Sequence, residues 1–282
     1  MGRGRQVRRQ LLRYPAGPMP SREDLLAFAL DLARAAEQVI LPHYQRCVVS
    51  LKPDGSEVTD ADRGAEAIMR QMIGARFPGH AILGEEEGGA MTPACPERWI
   101  IDPVDGTTSF AVGAPLFGTL VAFVEDDEPV VGVIHFPALG ETVYAARGLG
   151  CRFQSRGAAP VPVRVAAPVP LREALVSSTG LHGSDILPGK VAYRLTPVIQ
   201  GARKFRFYSD CLQHALLCRG NIHVAIDTVM QPWDIAALVP CVEEAGGVVT
   251  TLDGRREGVI FGGSLLTSCD RRLHDEVLSL VA

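Results

Sequence analysis

From residue 21 to residue 40 the apolar positions Leu25, Leu26, Ala29, Leu32, Ala33, Ala36 and Ile40 recur at helical spacing, which predicts an amphipathic helix. Ser21 and Asp24 stand at the spacing of a capping box and mark its start; Pro42 marks its end. The turn-rich stretch KPDGSEVTDAD leads into a second helix, expected from about Asp60 to Phe77 and closed by PGH. The pattern then changes. WIID, GTLVAFVE, PVVGVIHF and ETVYAAR are rich in β-branched and aromatic residues and lie between turn signals, so they predict strands. The connections DDEP and PALG are too short for a parallel crossover, which makes these strands antiparallel neighbours. A Pro/Gly/Arg-rich stretch at 154–170 is the best boundary in the chain. Beyond it EALVSST, HVAID, GGVVTTL and SLLTS alternate with helices expected at about 209–220, 234–245 and 270–281, the pattern of an α/β half. We divide the chain into an extension (1–20), an α+β half (21–155) and a smaller α/β half (156–282). No internal repeat is visible.

Composition narrows the classes. Of 282 residues, 47% are hydrophobic and 21% charged, an ordinary globular balance. No apolar run reaches the roughly 18 residues that a membrane span needs. The net charge of −4 does not suggest nucleic acid as the main partner. Residues 1–20 hold Arg3, Arg5, Arg8, Arg9 and Arg13 and no acid. That composition suits a transit peptide, but we expect a disordered extension upstream of a working start at Met19 and a cytoplasmic enzyme. The rest of the chain is acidic and would need bound cations to handle an anion. Seven cysteines without a C-x-x-C pair fit reduced thiols, most of them small core residues.

Three acidic segments could carry chemistry. ILGEEEGG places Glu85, Glu86 and Glu87 after an apolar run. In WIIDPVDGTTSF a strand ends in Asp102, turns through Pro103 and presents Asp105 before Gly106, Thr107 and Thr108. QPWDIAAL puts Asp234 at a helix start. Taken singly, GEEEG is a solvated acidic loop, Asp234 an N-cap, and the D-P-x-D-G turn as much structural as chemical. Taken together they are harder to dismiss. Two carboxylates on a stiff turn can converge on one hard cation, with the Val104 carbonyl as a further oxygen ligand. The Gly-Thr-Thr that follows can open a helix whose free N–H groups bind phosphate. Metal-assisted phosphoryl transfer needs that pairing. No nucleophilic serine or cysteine motif competes with it: SSTG lacks G-x-S-x-G.

In this order GEE, W-x-I-D-P-x-D-G-T-x-x-F and W-D-x-A resemble the inositol monophosphatase superfamily, lithium-sensitive magnesium phosphatases, from about residue 21 onward. The resemblance implies a layered α/β/α/β/α sandwich, a homodimer and two or three magnesium ions. By it, Glu85, Asp102 and the Val104 carbonyl hold the first ion and Asp102, Asp105 and Asp234 the second, with Glu85 helping a weaker third. Thr107 and Glu85 position and activate the attacking water, Asp62 supports Thr107, and Gly106, Thr107 and Thr108 contact phosphate. Glu86 neighbours the metal site, and Glu87 has no assigned role.

Within the superfamily KPDGSEVTDADRGAE, PALGETVYAARGLG and PWDIAALVPCVEEAGGVVT resemble the histidinol-phosphatase-like branch. Asp210 and Asp227, with Asp105, fall where relatives contact the substrate, and carboxylates there suit a cationic amine. They would also hydrogen-bond a polyol. Thr108 stands where that branch often carries lysine, and FAVG lacks a basic residue often found there. His182 reads as a solvated loop residue without a catalytic role. The expected activity is hydrolysis of a small phosphate monoester, histidinol phosphate first, with an inositol phosphate, a bisphosphate nucleotide or a sugar bisphosphate as alternatives. A regulatory binder that keeps the fold is the reading from another class.

Overall fold

A computed structural model describes residues 20–52, 55, 57–89, 96–181 and 193–281. The basic extension up to residue 19, Cys95 and His182 lie outside the described residues. Helix α1 (Arg22–Ile40) starts on the Ser21–Asp24 capping box and buries Leu25, Ala29, Leu32, Ala33, Ala36 and Ile40 along one stripe. A two-stranded ribbon follows, β1 (Ser50–Leu51) with β2 (Glu57–Val58). Helix α2 (Asp60–Arg76) begins on a second capping box, Thr59 with Asp62.

The large sheet holds seven strands in sequential order: β3 (Ala81–Gly84), β4 (Glu97–Asp105), β5 (Gly118–Glu125), β6 (Glu128–Phe136), β7 (Glu141–Ala146), β8 (Gly150–Ser155) and β9 (Val161–Pro162). Only β3 and β4 pair in parallel. A short helix, α3 (Thr107–Ala111), leaves the end of β4.

A smaller sheet of five strands is built from β10 (Leu175–Ser178), β11 (Lys204–Phe207), β12 (Val224–Asp227), β13 (Val248–Thr250) and β14 (Leu265–Ser268), in the order β11-β10-β12-β14-β13. Its helices are α4 (Thr196–Gly201), α5 (Asp210–Cys218), α6 (Pro232–Ile235), α7 (Leu238–Glu244) and α8 (Arg271–Val281). The helix expected over 234–245 is thus two short pieces, α6 and α7. The strand KFRF alternates over only four residues and helix α4 spans only six, too little to predict either from the sequence.

Strand parity sorts the core. On β4, Trp99 and Ile101 face α1 and α2, while Ile100 faces α5 and α7 across the sheet. The second group also contains Ala225, Val249 and Leu265 of the small sheet, so α5 and α7 lie between two sheets. The far face of the small sheet packs Val176, Val224, Ile226 and Leu266 on Leu273, Val277 and Val281 of α8 and Val198 of α4. The layers therefore run α/β/α/β/α.

One expectation is refined. The sequence pattern ends the strand at Asp102, yet β4 continues through Pro103 to Asp105. The register with β5 shifts between Asp102 and Asp105, and proline is admitted to a strand at such an irregularity because no ladder bond is required of it. The Thr119 hydroxyl donates to the Pro103 carbonyl at 2.7 Å and pins the bulge. The irregularity sets Asp102 and Asp105 at the sheet's end, beside α5 and α6.

Candidate active site

Asp102, Asp105 and Asp234 meet here: one carboxylate oxygen from each lies within 4.8 Å of the others. Asp234 is the third residue of α6, where its Oδ2 accepts from the Gln231 amide at 2.7 Å. It is the N3 partner of a capping box whose N-cap is Gln231, and a member of the cluster. Asp105 Oδ2 accepts from the Cys211 amide at 2.7 Å, at the first turn of α5. Asp102 is 2% exposed, and its Oδ1 is buried without a hydrogen-bond partner. Among the described residues no Lys, Arg or His pairs with any of the three.

Burial, with Glu85, Asp105 and Asp234 nearby, pushes the Asp102 carboxyl well above the usual carboxylate range. Burial and the charges of Asp210 and Asp234 do the same to Asp105. Asp234 is raised to about 7, mainly by burial. Three unneutralised carboxylates and an orphaned oxygen form a donor set that suits a hard divalent cation, which takes oxygen ligands.

Glu85 follows β3 and stands beside Asp102. Its Oε1 is 2.9 Å from Lys52 Nζ, which also reaches Glu86 at 2.8 Å from the β1–β2 ribbon. Sequence reasoning missed what aims this loop. Glu66, fully buried on α2, accepts from the amides of Glu86 and Glu87 at 2.8 and 3.0 Å and from Arg70 Nε at 2.7 Å. Arg70 also donates to the Gly88 carbonyl. In sequence Glu66 and Arg70 look like an ordinary i,i+4 surface pair. Only the lack of any side chain at Gly84, where a Cβ would overlap the Glu66 carboxylate, hints at the close approach.

Thr107 opens α3, and its hydroxyl lies 3.3 Å from Asp62 Oδ1 and 3.2 Å from the Val104 carbonyl. Asp62 is fully buried; its Oδ2 takes the Thr59 amide at 2.9 Å and the Thr59 hydroxyl, and burial raises its carboxyl. Gly106, Thr107 and Thr108 line a cleft with Glu85 and Asp210. Asp210 also lines a second, adjoining cavity with Asp105, Asp227 and Asp234. It adopts φ 42°, a left-handed conformation costly for a non-glycine residue, and is held by the Ser209 hydroxyl at 2.6 Å.

Residues 21–282 match the inositol monophosphatase family. The chain belongs to that family. It is a phosphoric monoester hydrolase. It is 38% identical over 261 residues to a histidinol-phosphatase of Mycobacterium tuberculosis, covering 92% of this chain and 98% of that one. A histidinol-phosphatase of Chlorobaculum parvum is 37% identical over 250 residues, with 86% and 91% covered. Among solved structures, an inositol monophosphatase from Zymomonas mobilis superposes with a TM-score of 0.79 at 30% identity, over 93% of this chain and 99% of that chain. The two sheets and the helices that flank them agree with that fold.

Proposed function

We propose that the protein is a magnesium-dependent histidinol-phosphate phosphatase. The observation that carries this reading is the acidic cavity of Asp105, Asp210, Asp227 and Asp234, which adjoins the Gly106–Thr108 cleft. A phosphate group at the cleft would set its leaving group among carboxylates, which favour a cationic amine. The similarity to two histidinol-phosphatases supports the same reading.

The cluster would hold magnesium, one ion on Glu85, Asp102 and the Val104 carbonyl and a second on Asp102, Asp105 and Asp234, with Glu85 helping to hold a weaker third. Bound magnesium would stabilise charge on the phosphoryl oxygens and acidify water at neutral pH. The chain's own residues do the rest. Asp62 holds the Thr107 hydroxyl in the wall of the cleft, where Thr107 and Glu85 would orient the attacking water. The Gly106, Thr107 and Thr108 segment receives the phosphate; a Cβ at Gly106 would overlap the Asp210 carboxylate. Cys211 fixes Asp105 through its amide, with its thiol against the same carboxylate; burial pushes the thiol's pKa well up.

A cytoplasmic homodimer is the expectation that goes with the family, and the six described cysteines, all free, are in keeping with it. Polyol hydroxyls would also bond to these carboxylates, which keeps inositol 1-phosphate as the second reading. Phosphate release from both esters at saturating magnesium separates them. The proposal predicts a higher kcat/KM for histidinol phosphate; a clear preference for inositol 1-phosphate would overturn it.

A further inference from the structure

Asp227 ends β12 and lines the leaving-group cavity with Thr179, Asp210, Met230 and Asp234. Its Oδ2 carries two bonds, from Gln213 Nε2 and from His214 Nε2, both at 2.7 Å. His214 Nδ1 lies 3.0 Å from the Thr267 hydroxyl. A carboxylate can only accept, so His214 donates through Nε2; in the neutral tautomer that does so, Nδ1 accepts from the Thr267 hydroxyl. Gln213 Nε2 also reaches Thr179 Oγ1 at 3.1 Å, so one amide steadies two residues of the cavity wall. Gln213, His214 and Thr267 are fully buried.

Gln213 Oε1 is buried with no hydrogen-bond partner. A buried acceptor left unpaired is a destabilising feature that calls for a reason. Turning the amide over would set this oxygen against the Asp227 carboxylate, so the unpaired atom follows from holding Asp227. With Oδ2 doubly bonded, Oδ1 is the Asp227 oxygen that carries no bond from Gln213 or His214. Asp210 lines both this cavity and the phosphate-side cleft, so a donor close to the ester oxygen stands between two carboxylates.

We propose that Gln213 and His214 are positioning residues that fix Asp227 as a one-sided acceptor, and that the cavity thereby selects leaving groups bearing an ammonium close to the ester oxygen over those bearing a hydroxyl there. The inference rests on the phosphatase reading above and concerns which leaving group the site accepts. An ammonium has three donors and no acceptor, and its bonds to carboxylates are charge-assisted, whereas a hydroxyl supplies one neutral donor.

The pair 2-aminoethyl phosphate and 2-hydroxyethyl phosphate differs only at that group. With magnesium present, the wild-type protein should favour the amino ester in kcat/KM by roughly 10–100-fold, about the worth of one or two charge-assisted bonds. Gln213→Met and His214→Phe should pull this ratio toward one, chiefly through KM for the amino ester. His214→Gln, which keeps a donor near the same place, should retain more of the ratio than His214→Phe. Asp227→Asn is nearly isosteric, can accept both bonds on its carbonyl oxygen and turns an amide NH2 to the cavity. It should abolish the preference, and it decides the matter if the core variants do not fold. A wild-type ratio near one, or a ratio kept in Asp227→Asn, overturns the proposal. A ratio kept in both Gln213→Met and His214→Phe overturns their positioning role. Turnover of histidinol phosphate with no preference between the two esters would sink this inference and spare the substrate assignment. A strong amino-ester preference without histidinol phosphate turnover would do the reverse.

Discussion

Asp105 is tied on one side to the Cys211 amide and on the other faces Asp234, so its charge is committed to the cluster. Asp105→Asn removes one ligand charge but keeps an acceptor for that amide. It should cost magnesium affinity and turnover together, by roughly 100-fold or more in kcat/KM. Thr107→Ala takes away a hydroxyl that no cation site needs, and should lower kcat by about 10–1,000-fold with magnesium affinity largely kept. Calorimetric magnesium titration beside phosphate-release kinetics separates the two; equal losses of affinity would contradict these assignments. Glu66 acts one step further out. Glu66→Gln sets an NH2 against one of the donors that brace the Glu85 loop, and magnesium affinity should fall by roughly 10–100-fold. Unchanged affinity would show that the loop needs no brace.

At the scale of elements the close approach of β3 to α2 is what places Glu85. Gly84→Ala would drive a Cβ into the Glu66 carboxylate, and such overpacking costs about 1–3 kcal/mol. Urea denaturation should show that loss, and a variant as stable as wild type would mean the loop can yield. Much of this was legible. The Ser21–Asp24 capping box is a local code that holds without tertiary context. The runs that became β5, β6 and β7 are nearly all apolar because both sheet faces are covered. Asp102, Asp105 and Asp234 were legible because their neighbours in sequence carry a specific motif. Glu66, Gln213 and His214 were not, since the site groups they hold and the Thr267 behind His214 are 13 to 53 residues away. Such burial of polar groups leaves no local trace. The strand KFRF was missed for a related reason: it is a largely exposed edge strand, so its alternation carries little burial signal.

Across the whole molecule the acid cluster links pH, cation and stability. Asp234 is raised to about 7 by burial and by Glu85, Asp227 and Asp210, and Asp102 and Asp105 move the same way. The unfolded chain loses such protons near 3.8, so between that pH and about 7 the folded state binds more of them. Stability without cation therefore falls as pH rises through this window, and divalent cation offsets the fall by binding the deprotonated cluster. Chelator-treated protein should lose Tm between about pH 5 and pH 7.5, by less in Asp234→Asn, and magnesium should raise Tm more at the higher pH. An Asp234→Asn protein with the same pH dependence as wild type would contradict this. The central claim is that the Asp102, Asp105 and Asp234 cluster supports phosphate-ester hydrolysis through bound magnesium. Its most direct test is phosphate release from histidinol phosphate as magnesium is titrated into chelator-treated wild type and Asp102→Asn. Turnover should appear only with magnesium in wild type and stay near background in the variant at every concentration; full turnover in Asp102→Asn, or in wild type without divalent cation, would contradict the account.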